Sequence, residues 1–340
     1  MKNNAVAGRM HGKILRINQK SSLFILLLLT FGMIKMPAYS QKKLSFKLEK
    51  QAIIPRDSSK EKGKKFGGIS AIEYFNEDSI LVVSDHDADG YSYIFTINTY
   101  NRVLAVNRFY DLQCIEAIRY NKRMHKLFYA FEKGKSTGVG YIEDEKPVTI
   151  FTEPIPSANT TTNRGIEGIT FSKDNSLWVS FESGGSKDCE NSTIPFYRFK
   201  PTGKNYAAGK KTVYEYPFVR CSCSRGNFNG ALGNGVSEIL AFKDDPNKML
   251  VLERCFNGFQ LHVLLYLVTV PKTGRKLKKE LVFNFNKDNI LDEIRNHFIP
   301  DNLEGMTWGK NENGKRTLYL ISDNNFNMLQ RNQVVKLIEE

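Results

Sequence analysis

Acidic side chains recur at matching places in five similar stretches of this 340-residue chain. One stretch, residues 165–182, reads GIEGITFSKDNSLWVSFE and holds a glutamate near each end. In every copy a Glu or Ser follows the first apolar residue, and an acid closes a second apolar run. The opening positions are Ser70, Glu116, Glu167, Ser237 and Glu304, and the closing positions are Asp85, Glu132, Glu182, Glu253 and Asp323.

Carboxylates brought together in one place would repel one another, and desolvation would raise some of their pKa values. Three remedies exist. Basic neighbours such as Arg119, Arg164 and Arg254 could pair with them, or some could be protonated and act as general acids. A hard cation could also bind, because Ca²⁺ takes 6–8 oxygen ligands from carboxylates, carbonyls and amides.

These considerations identify candidate residues for a site. As catalytic groups we identify Glu167, Glu304, Arg164 and Arg254. As ligands for a metal, with Ca²⁺ as the expected ion, we identify Asp85, Glu116, Glu167, Glu253, Glu304 and Asp323. The alternative is structural, because acids at strand ends often accept hydrogen bonds from loop N–H groups and stabilise each repeat in the same way.

The elements that would position these residues are β-hairpins. Each copy has two short apolar runs around a polar turn such as KDNS or NENG, and a second hairpin-like pair follows most copies. Four strands per unit, recurring after 46, 51, 70 and 67 residues, are typical of a β-propeller. We therefore predict an all-β propeller of four-stranded blades, with five blades legible and six possible. An open β-sandwich is the alternative, but it gives no reason for the recurrence.

Closure of the ring and convergence of the acids follow from the same pattern. The orphan strand LSFKLEKQAII, residues 44–54, is expected to complete the last blade beside QVVKLIEE, residues 333–340. A hairpin returns the chain to its start, so an opening and a closing position lie side by side. If the first strands line the central channel, all ten positions meet at one of its mouths.

The N-terminus has the pattern of a signal peptide over residues 1–40, which leaves 41–340 as the propeller domain. Lys13, Arg16 and Lys20 precede the apolar run LFILLLLTFGMI, and PAYS precedes Gln41. A transmembrane anchor is the alternative, but the run is short for a span of about 20 apolar residues. We expect an exported protein, periplasmic or secreted, with no stable membrane span after cleavage. All five cysteines lie beyond residue 40, and a disulfide from the CSC loop (Cys221 to Cys223) to Cys189 or Cys255 is expected.

Several common functions lack their sequence signals. The chain has no G-x-S-x-G elbow, no H-E-x-x-H motif and no phosphate-binding P-loop. Part of the formal charge of +13 belongs to the predicted leader, and no basic face is interleaved with aromatic residues. A nucleic-acid partner is therefore not expected.

With these residues laid out, the chain resembles the phytase-like family of "esterase-like activity of phytase" proteins. The resemblance rests on residues 67–85, GIEGITF with NSLWVSFE, NGVSEILAF with MLVLER, and above all residues 301–333. It implies export from bacteria, a propeller-like fold and phosphoester hydrolysis similar to that of calcium-dependent propeller phytases. The family's recurrent polar residues correspond to Glu167, Asn234, Glu238, Glu253, Arg254, Asn302, Glu304, Asp323, Asn324, Asn325 and Asn327.

The sequence leaves two functional hypotheses open. In the first, the protein is a calcium-dependent hydrolase that acts on a small phosphoester or other ester, with arginine pairing to the anionic oxygens. In the second, it is a non-catalytic exported propeller that binds a ligand or partner, and its repeated acids are structural. Arg164 and Arg254 favour the enzyme, because phosphate chemistry needs basic groups beside the acidic mouth.

Overall fold

The described part of the chain consists almost entirely of β-strands. The computed structural model describes residues 43–59, 64–77, 79–85, 89–155, 164–183, 192–203, 205–218, 235–256, 261–286 and 298–340. In chain order the strands are β1 (Phe46–Ile54), β2 (Ile69–Asn76), β3 (Ser79–Ser84), β4 (Tyr93–Ile97), β5 (Val103–Arg108), β6 (Ile115–Asn121), β7 (Lys126–Lys133), β8 (Ser136–Glu143), β9 (Lys146–Pro154), β10 (Ile166–Phe171), β11 (Leu177–Phe181), β12 (Ser192–Thr202), β13 (Asn205–Phe218), β14 (Gly235–Ala241), β15 (Lys248–Phe256), β16 (Leu261–Thr269), β17 (Lys278–Asn284), β18 (Leu303–Trp308), β19 (Thr317–Ser322) and β20 (Asn332–Glu339). A single 3₁₀ turn, Arg56–Ser58, follows β1 within these residues.

The strands form five antiparallel sheets of four strands each. Blades one to four are β2–β5, β6–β9, β10–β13 and β14–β17, and blade five has the order β18–β19–β20–β1. The innermost strands contact one another in sequence, β2 to β6, β10, β14, β18 and back to β2. The predicted all-β propeller is confirmed, with the five legible blades.

The predicted polar turns close the inner hairpins. In blade three, Asn175 lies between β10 and β11 and has a φ of 61°. The N–H of Ser172 donates a hydrogen bond to the carbonyl of Ser176 across the same turn. In blade five, Asn313 and Gly314 both have positive φ, in the left-handed region that asparagine and glycine tolerate best. The turn residues seen in the sequence therefore reverse the chain where the pattern placed them.

Strand β1 closes the ring, as the pattern predicted. It pairs antiparallel with β20 from Phe46 opposite Glu339 to Ile54 opposite Asn332. Leu44–Glu340 form one compact unit, which begins three residues after the predicted boundary at Gln41. The predicted signal peptide lies outside the described residues. Within the part of the chain that is described, no helix is long and apolar enough to cross a membrane.

Apolar side chains between neighbouring blades form the core. Trp178 is fully buried and Trp308 is 6% exposed, so both tryptophans are core residues. The core contains many close ring contacts, including Phe128 against Phe171 at 4.8 Å. Burial of aromatic surface on this scale dominates the energetics of such a fold. It holds the inner strands rigidly around the channel.

Candidate active site at one mouth of the central channel

A β-bulge lies at the opening position in all five blades. The pairing of the inner hairpin skips one residue, so Ser70, Glu116, Glu167, Ser237 and Glu304 each lack a partner on the second strand. A bulge leaves an extra residue unpaired and turns its side chain to a new direction, which is why bulges are common beside active sites. The repeated opening position is therefore a repeated backbone device.

The closing positions lie directly beside these bulges. The N–H groups of Asp85, Glu182 and Asp323 donate to carbonyls that precede the facing bulge, at 2.8 to 2.9 Å. Glu132 makes the equivalent bond to Cys114 at 2.9 Å. Opening and closing residues of these four blades are thus brought together, as the hairpin argument predicted.

Blade four departs from the sequence pattern by one residue. Glu253 pairs with Val236, and Arg254 pairs with Gly235, so Arg254 occupies the place that an acid holds in the other blades. A slip of one residue moves a side chain to the opposite face of a strand. Alignment on the acid alone therefore assigned the wrong residue to the closing position of this blade.

Glu253 accordingly has structural partners on the other face of β15. Its carboxylate accepts a hydrogen bond from Tyr216 at 2.5 Å and pairs with Lys279 at 2.5 Å. It is not among the residues that line the mouth of the channel. The structure therefore separates Glu253 from the other five predicted metal ligands.

The mouth opens into a cavity of about 920 Å³. Seven carboxylates line it. Six lie at opening or closing positions of blades one, two, three and five, namely Asp85, Glu116, Glu167, Glu182, Glu304 and Asp323, and the seventh, Asp301, lies just before β18. Arg254 lines it from blade four. Five of the six predicted metal ligands and three of the four predicted catalytic residues meet here.

The remaining opening and closing residues connect neighbouring blades. Glu132 accepts a hydrogen bond from the N–H of Gly165. Ser70 donates to the carbonyl of Ile115 at 2.5 Å, and Ser237 donates to that of Leu303 at 3.2 Å. The structural alternative is thus the observed arrangement for these three positions.

Arg254 is surrounded by acceptors. Its guanidinium pairs with Glu304, donates to Asn302 at 2.5 Å and lies 3.8 Å from Glu182. Its Nε is buried without a hydrogen-bond partner. Glu304 is held from a second side by Asn302 at 2.7 Å. Nearby carboxylates raise the pKa of Arg254 despite its burial, so the group is a permanent cation.

Glu116 and Glu167 differ from the other cavity acids because they have no such partners. Within the described residues, neither carboxyl group forms a hydrogen bond or an ion pair, and Glu167 is only 8% exposed. Burial, followed by the charge of neighbouring acids, raises the pKa of each well above the usual range. Two adjacent blades thus place two unpaired acids against one cavity.

The pKa values of the other acids at and beside the cavity are raised to different extents. Burial raises the pKa of Asp323 well above its usual range, although Asn325 N–H donates to its carboxylate at 2.7 Å. Burial also raises the pKa values of Glu182 and Glu304, and Arg254 opposes the rise in both. Burial raises the pKa of Glu132, outside the cavity lining, to about 7. The cavity therefore favours protonated carboxyl groups unless a cation enters.

A buried ion pair spans the central channel beside the mouth. Arg119 donates to the carbonyls of four inner strands, at Ile72, Ile118, Ile239 and Met306, and lies 2.7 Å from Glu238. Glu238 immediately follows the bulge of blade four, where the other blades have only Ala or Gly. Arg119, considered as a partner for the repeated acids, instead joins the blades along the axis.

Of Arg164 and the predicted asparagines, some line the cavity and others do not. Arg164 does not line the cavity, but its charge lowers the pKa of Glu182. Asn302, Asn325 and Asn327 line the cavity. Asn324 accepts hydrogen bonds from Gly68 and Phe326, both at 3.0 Å, and so fixes the loop after β19. Asn234 lies outside the described residues.

An apolar lip at the edge of the cavity was not predicted from the sequence. It consists of Phe256, Leu261, Ile299, Pro300 and Leu329, all from blades four and five. Phe256 lies two residues after Arg254 on β15, and alternate residues of a strand share a face. That spacing could have indicated the first of these residues. Leu261 begins the next strand, β16, and Ile299, Pro300 and Leu329 come from loops that do not repeat between blades.

The cysteines occupy two environments. Cys114 lines the cavity as a free thiol, and burial raises its pKa. Cys255 is disulfide-bonded. Cys189, Cys221 and Cys223, the candidates for the predicted bridge, lie outside the described residues.

The cavity has the residue types that bind a metal ion, but its side chains do not lie close enough together to hold one. Carboxylates with raised pKa values and amide oxygens are the ligands of a hard cation such as Ca²⁺. Among the described residues, however, no three His, Cys, Asp or Glu side chains converge closely enough to hold a metal ion as they stand. The chemistry of the cavity fits a cation, and its side chains would have to move inward to bind one.

Comparison with known proteins identifies the family. The sequence profile of the phytase-like family, described as esterase-like activity of phytase, matches residues 64–326. The chain belongs to the phytase-like family. The matched range holds all ten opening and closing positions, whereas β1 lies outside it. The repeat is thus part of what the phytase-like chain shares with its family.

Other comparisons give likeness of shape only. Among curated proteins, none matches this phytase-like chain in sequence. Similar solved structures include an endo-arabinase from Bacteroides thetaiotaomicron (TM-score 0.49, 11% identity, 83% of this chain and 95% of that chain), the PQQ-bound aldose sugar dehydrogenase from Streptomyces coelicolor (0.45, 10%, 88% and 99%) and a calcium-binding regucalcin from Agrobacterium tumefaciens (0.41, 12%, 81% and 78%). Such low identities and TM-scores do not extend the likeness to ligands or activity.

Proposed function

We propose that this phytase-like protein is an exported hydrolase that cleaves a small phosphoester or other ester in the acidic cavity. The observation that carries the proposal is the pair of unpartnered acids, the partly buried Glu116 and the buried Glu167, beside the cationic Arg254. A purely structural acid has partners, as Glu132 and Glu253 do. Acids with perturbed pKa values in a cavity are typical of catalytic sites.

The chain's own residues would divide the work of hydrolysis. Glu167, held protonated by its surroundings, would give its proton to the leaving-group oxygen as the ester bond breaks. Glu116, whose negative charge is one cause of the raised pKa of Glu167, would be the ionised member of the pair and accept a proton from the attacking water. Arg254 would pair with the anionic oxygens of the ester, and Glu304 would orient that guanidinium.

A hard cation, with Ca²⁺ as the candidate, would be held by Glu116, Glu167, Glu304, Asp85 and Asp323 in their ionised state. Glu167 would then act as the proton donor only when it is displaced from the metal. When bound, the cation would neutralise these acids and polarise the ester oxygens. The excess of seven carboxylates over two arginines, Arg254 and Arg331, in the cavity lining supports this part of the proposal. Glu253 is not included, because its carboxylate pairs with Lys279.

Export remains part of the proposal. It rests on the signal-peptide pattern of residues 1–40 and on the disulfide at Cys255, since disulfides persist in oxidising compartments.

The second candidate is a non-catalytic binding propeller. The apolar lip favours it as well as the enzyme, because both need a ligand in the cavity.

The test compares two single variants of the mature chain. Glu167→Gln removes the proposed acid, and Glu253→Gln is its matched control, an acid at the same end of a blade but outside the cavity. Hydrolysis of phenyl phosphate and phenyl acetate, whose more basic leaving-group oxygen needs a proton donor, is measured with Ca²⁺ and with EDTA. We expect Glu167→Gln to lose roughly 100-fold or more in kcat and Glu253→Gln to retain it.

Thermal unfolding separates the remaining outcomes. A rise in Tm with Ca²⁺ that is absent in Glu167→Gln but present in Glu253→Gln would support a cation in the cavity. Neither turnover nor a calcium-dependent shift in the wild type would refute the hydrolase and favour the binding propeller. Turnover that is insensitive to EDTA would retain the hydrolase and remove the metal.

A further inference from the structure

The cavity is chemically divided between its blades. Of the seven lining carboxylates, six belong to blades one, two, three and five and Asp301 directly precedes blade five, whereas blade four contributes Arg254, Phe256 and Leu261. Blade four is also the one in which Glu253 turns away, and its bulge, like that of blade one, holds a serine where the other blades hold glutamate. The side of the cavity around blade four is therefore cationic and apolar, and the rest is acidic.

The apolar lip is continuous with the arginine. Phe256 shares a face of β15 with Arg254, and Leu261 pairs directly opposite Phe256 on β16. Ile299 and Pro300, immediately before the buried Asp301, add the neighbouring part of blade five. A group bound at Arg254 thus has an apolar surface beside it in one direction.

Leu329 completes the lip in an exposed position. The side chains of Met328 and Leu329 are each 91% exposed, on a loop whose backbone is held by asparagines. Asn327 accepts a hydrogen bond from Leu329 N–H at 3.0 Å, and Asn325 donates to Gln330 at 3.2 Å. Leu329 lines the cavity and Met328 does not. An ordered loop that presents a leucine to water at the edge of a cavity is suited to contact an apolar ligand group.

Charge argues against a highly phosphorylated substrate. Within the described lining, the cations are Arg254 and the half-exposed Arg331, which is already paired with Asp301 at 3.3 Å. The seven lining carboxyl groups would, wherever they are ionised, repel each further phosphate on a polyanion. An ester with one anionic or neutral head group needs only Arg254.

We propose that the substrate of this cavity is an ester with a single, at most singly charged head group and an apolar chain or ring, which packs against Phe256, Leu261, Ile299 and Leu329. The inference rests on the proposed hydrolytic site and specifies its substrate class. The head group lies at Arg254 among the acids. The apolar group leaves the cavity over blades four and five, where burial of its methylenes supplies affinity.

The proposed apolar subsite can be tested without turnover by measuring the binding affinity of two singly charged diesters, methyl butyl phosphate and methyl octyl phosphate, by titration calorimetry. We expect the octyl compound to bind at least roughly tenfold more tightly, from the burial of its additional methylenes. Leu329→Ser should reduce that preference by roughly fivefold. Met328→Ser is the matched control, adjacent and equally exposed but outside the cavity lining, and should leave the preference unchanged.

The outcomes distinguish this inference from the proposed hydrolysis. Equal affinity for both chain lengths, or tighter binding of myo-inositol hexakisphosphate than of the octyl diester, would overturn the apolar subsite while leaving a hydrolase possible. An equal loss in Met328→Ser and Leu329→Ser would also overturn it, because the contact would then be a surface outside the cavity. Chain-length-dependent binding without hydrolysis of any ester would support the subsite and count against the hydrolase.

Discussion

At the scale of single residues, the repeated acids fall into two groups, those with hydrogen-bond partners and those without. Glu132 and Glu253 bind donors from neighbouring strands and stabilise the fold, whereas Glu116 and Glu167 face the cavity without partners. The same residue type in the same repeat thus serves two purposes. Only the hydrogen bonds reveal which purpose a given acid serves.

The pH dependence of stability follows from these buried acids. In the folded protein the pKa values of Glu116, Glu167 and Asp323 lie well above those of the unfolded chain, and Glu132 titrates at about 7. The folded state therefore holds protons more tightly than the unfolded state. Their contribution is complete below about pH 4.5 and is lost as pH rises through the folded pKa values.

We therefore expect Tm in EDTA to fall between pH 5 and pH 8, each unit of raised pKa corresponding to about 1.4 kcal/mol. Ca²⁺ should restore Tm at pH 8 and have little effect at pH 5, because protonated acids bind no cation. Scanning calorimetry of the wild type and of the double variant Glu116→Gln/Glu167→Gln measures this. A Tm that rises with pH in EDTA would contradict it, since the acids would then be ionised and stabilised by partners.

At the scale of elements, the bulge explains both the spacing and the composition of the repeat. The residue after the bulge is Ala71, Ala117, Gly168 or Gly305 in four blades. A Cβ atom at Gly168 would lie 2.8 Å from the backbone nitrogen of Ile239 in the next blade. Small residues there let the inner strands approach, and the approach brings the bulged acids together.

A substitution at this contact tests the close approach of the blades. Gly168→Ala is expected to lower the free energy of unfolding by about 1–3 kcal/mol, because the neighbouring backbone must move. Gly209→Ala is the control, since a Cβ atom there meets nothing within 4 Å. Urea denaturation measures both. Similar values for the two variants would show that β10 and β14 are less tightly packed than described.

Element by element, the sequence predicted most of the architecture and part of the site. Hairpin turns and apolar runs are local signals, so the blades, the closing strand and the meeting of Glu167 with Glu304 could be predicted. The register of blade four could not, because both Glu253 and Arg254 fit a strand end and only pairing with β14 decides between them. Much of the apolar lip was missed for a related reason, since Ile299, Pro300 and Leu329 lie in loops that follow no repeat.

At the scale of the whole molecule, one strand from the beginning of the described chain holds the ring closed. Strand β1 lies outside the range matched by the family, yet it forms the outer edge of blade five. Ile54 is 1% exposed and packs with Phe66, Ile69 and Val334, which belong to blades one and five and the segment between them. The closure therefore connects the two ends of the propeller through a shared apolar cluster.

Adjacent residues of β1 test whether this closure stabilises the protein. Ile54→Ala is expected to cost about 2–5 kcal/mol, the usual range for an isoleucine removed from a core. Ile53→Ala, which changes a side chain that is 47% exposed on the opposite face, is expected to cost within about 0.5 kcal/mol. Both free energies come from urea denaturation of the mature chain. Equal costs would mean that β1 does not dock as described, and the ring would then have to be closed by β20 alone. A large cost for Ile54→Ala with a single cooperative transition would instead show that all five blades depend on this strand, because blades that unfolded separately would leave part of the transition unchanged.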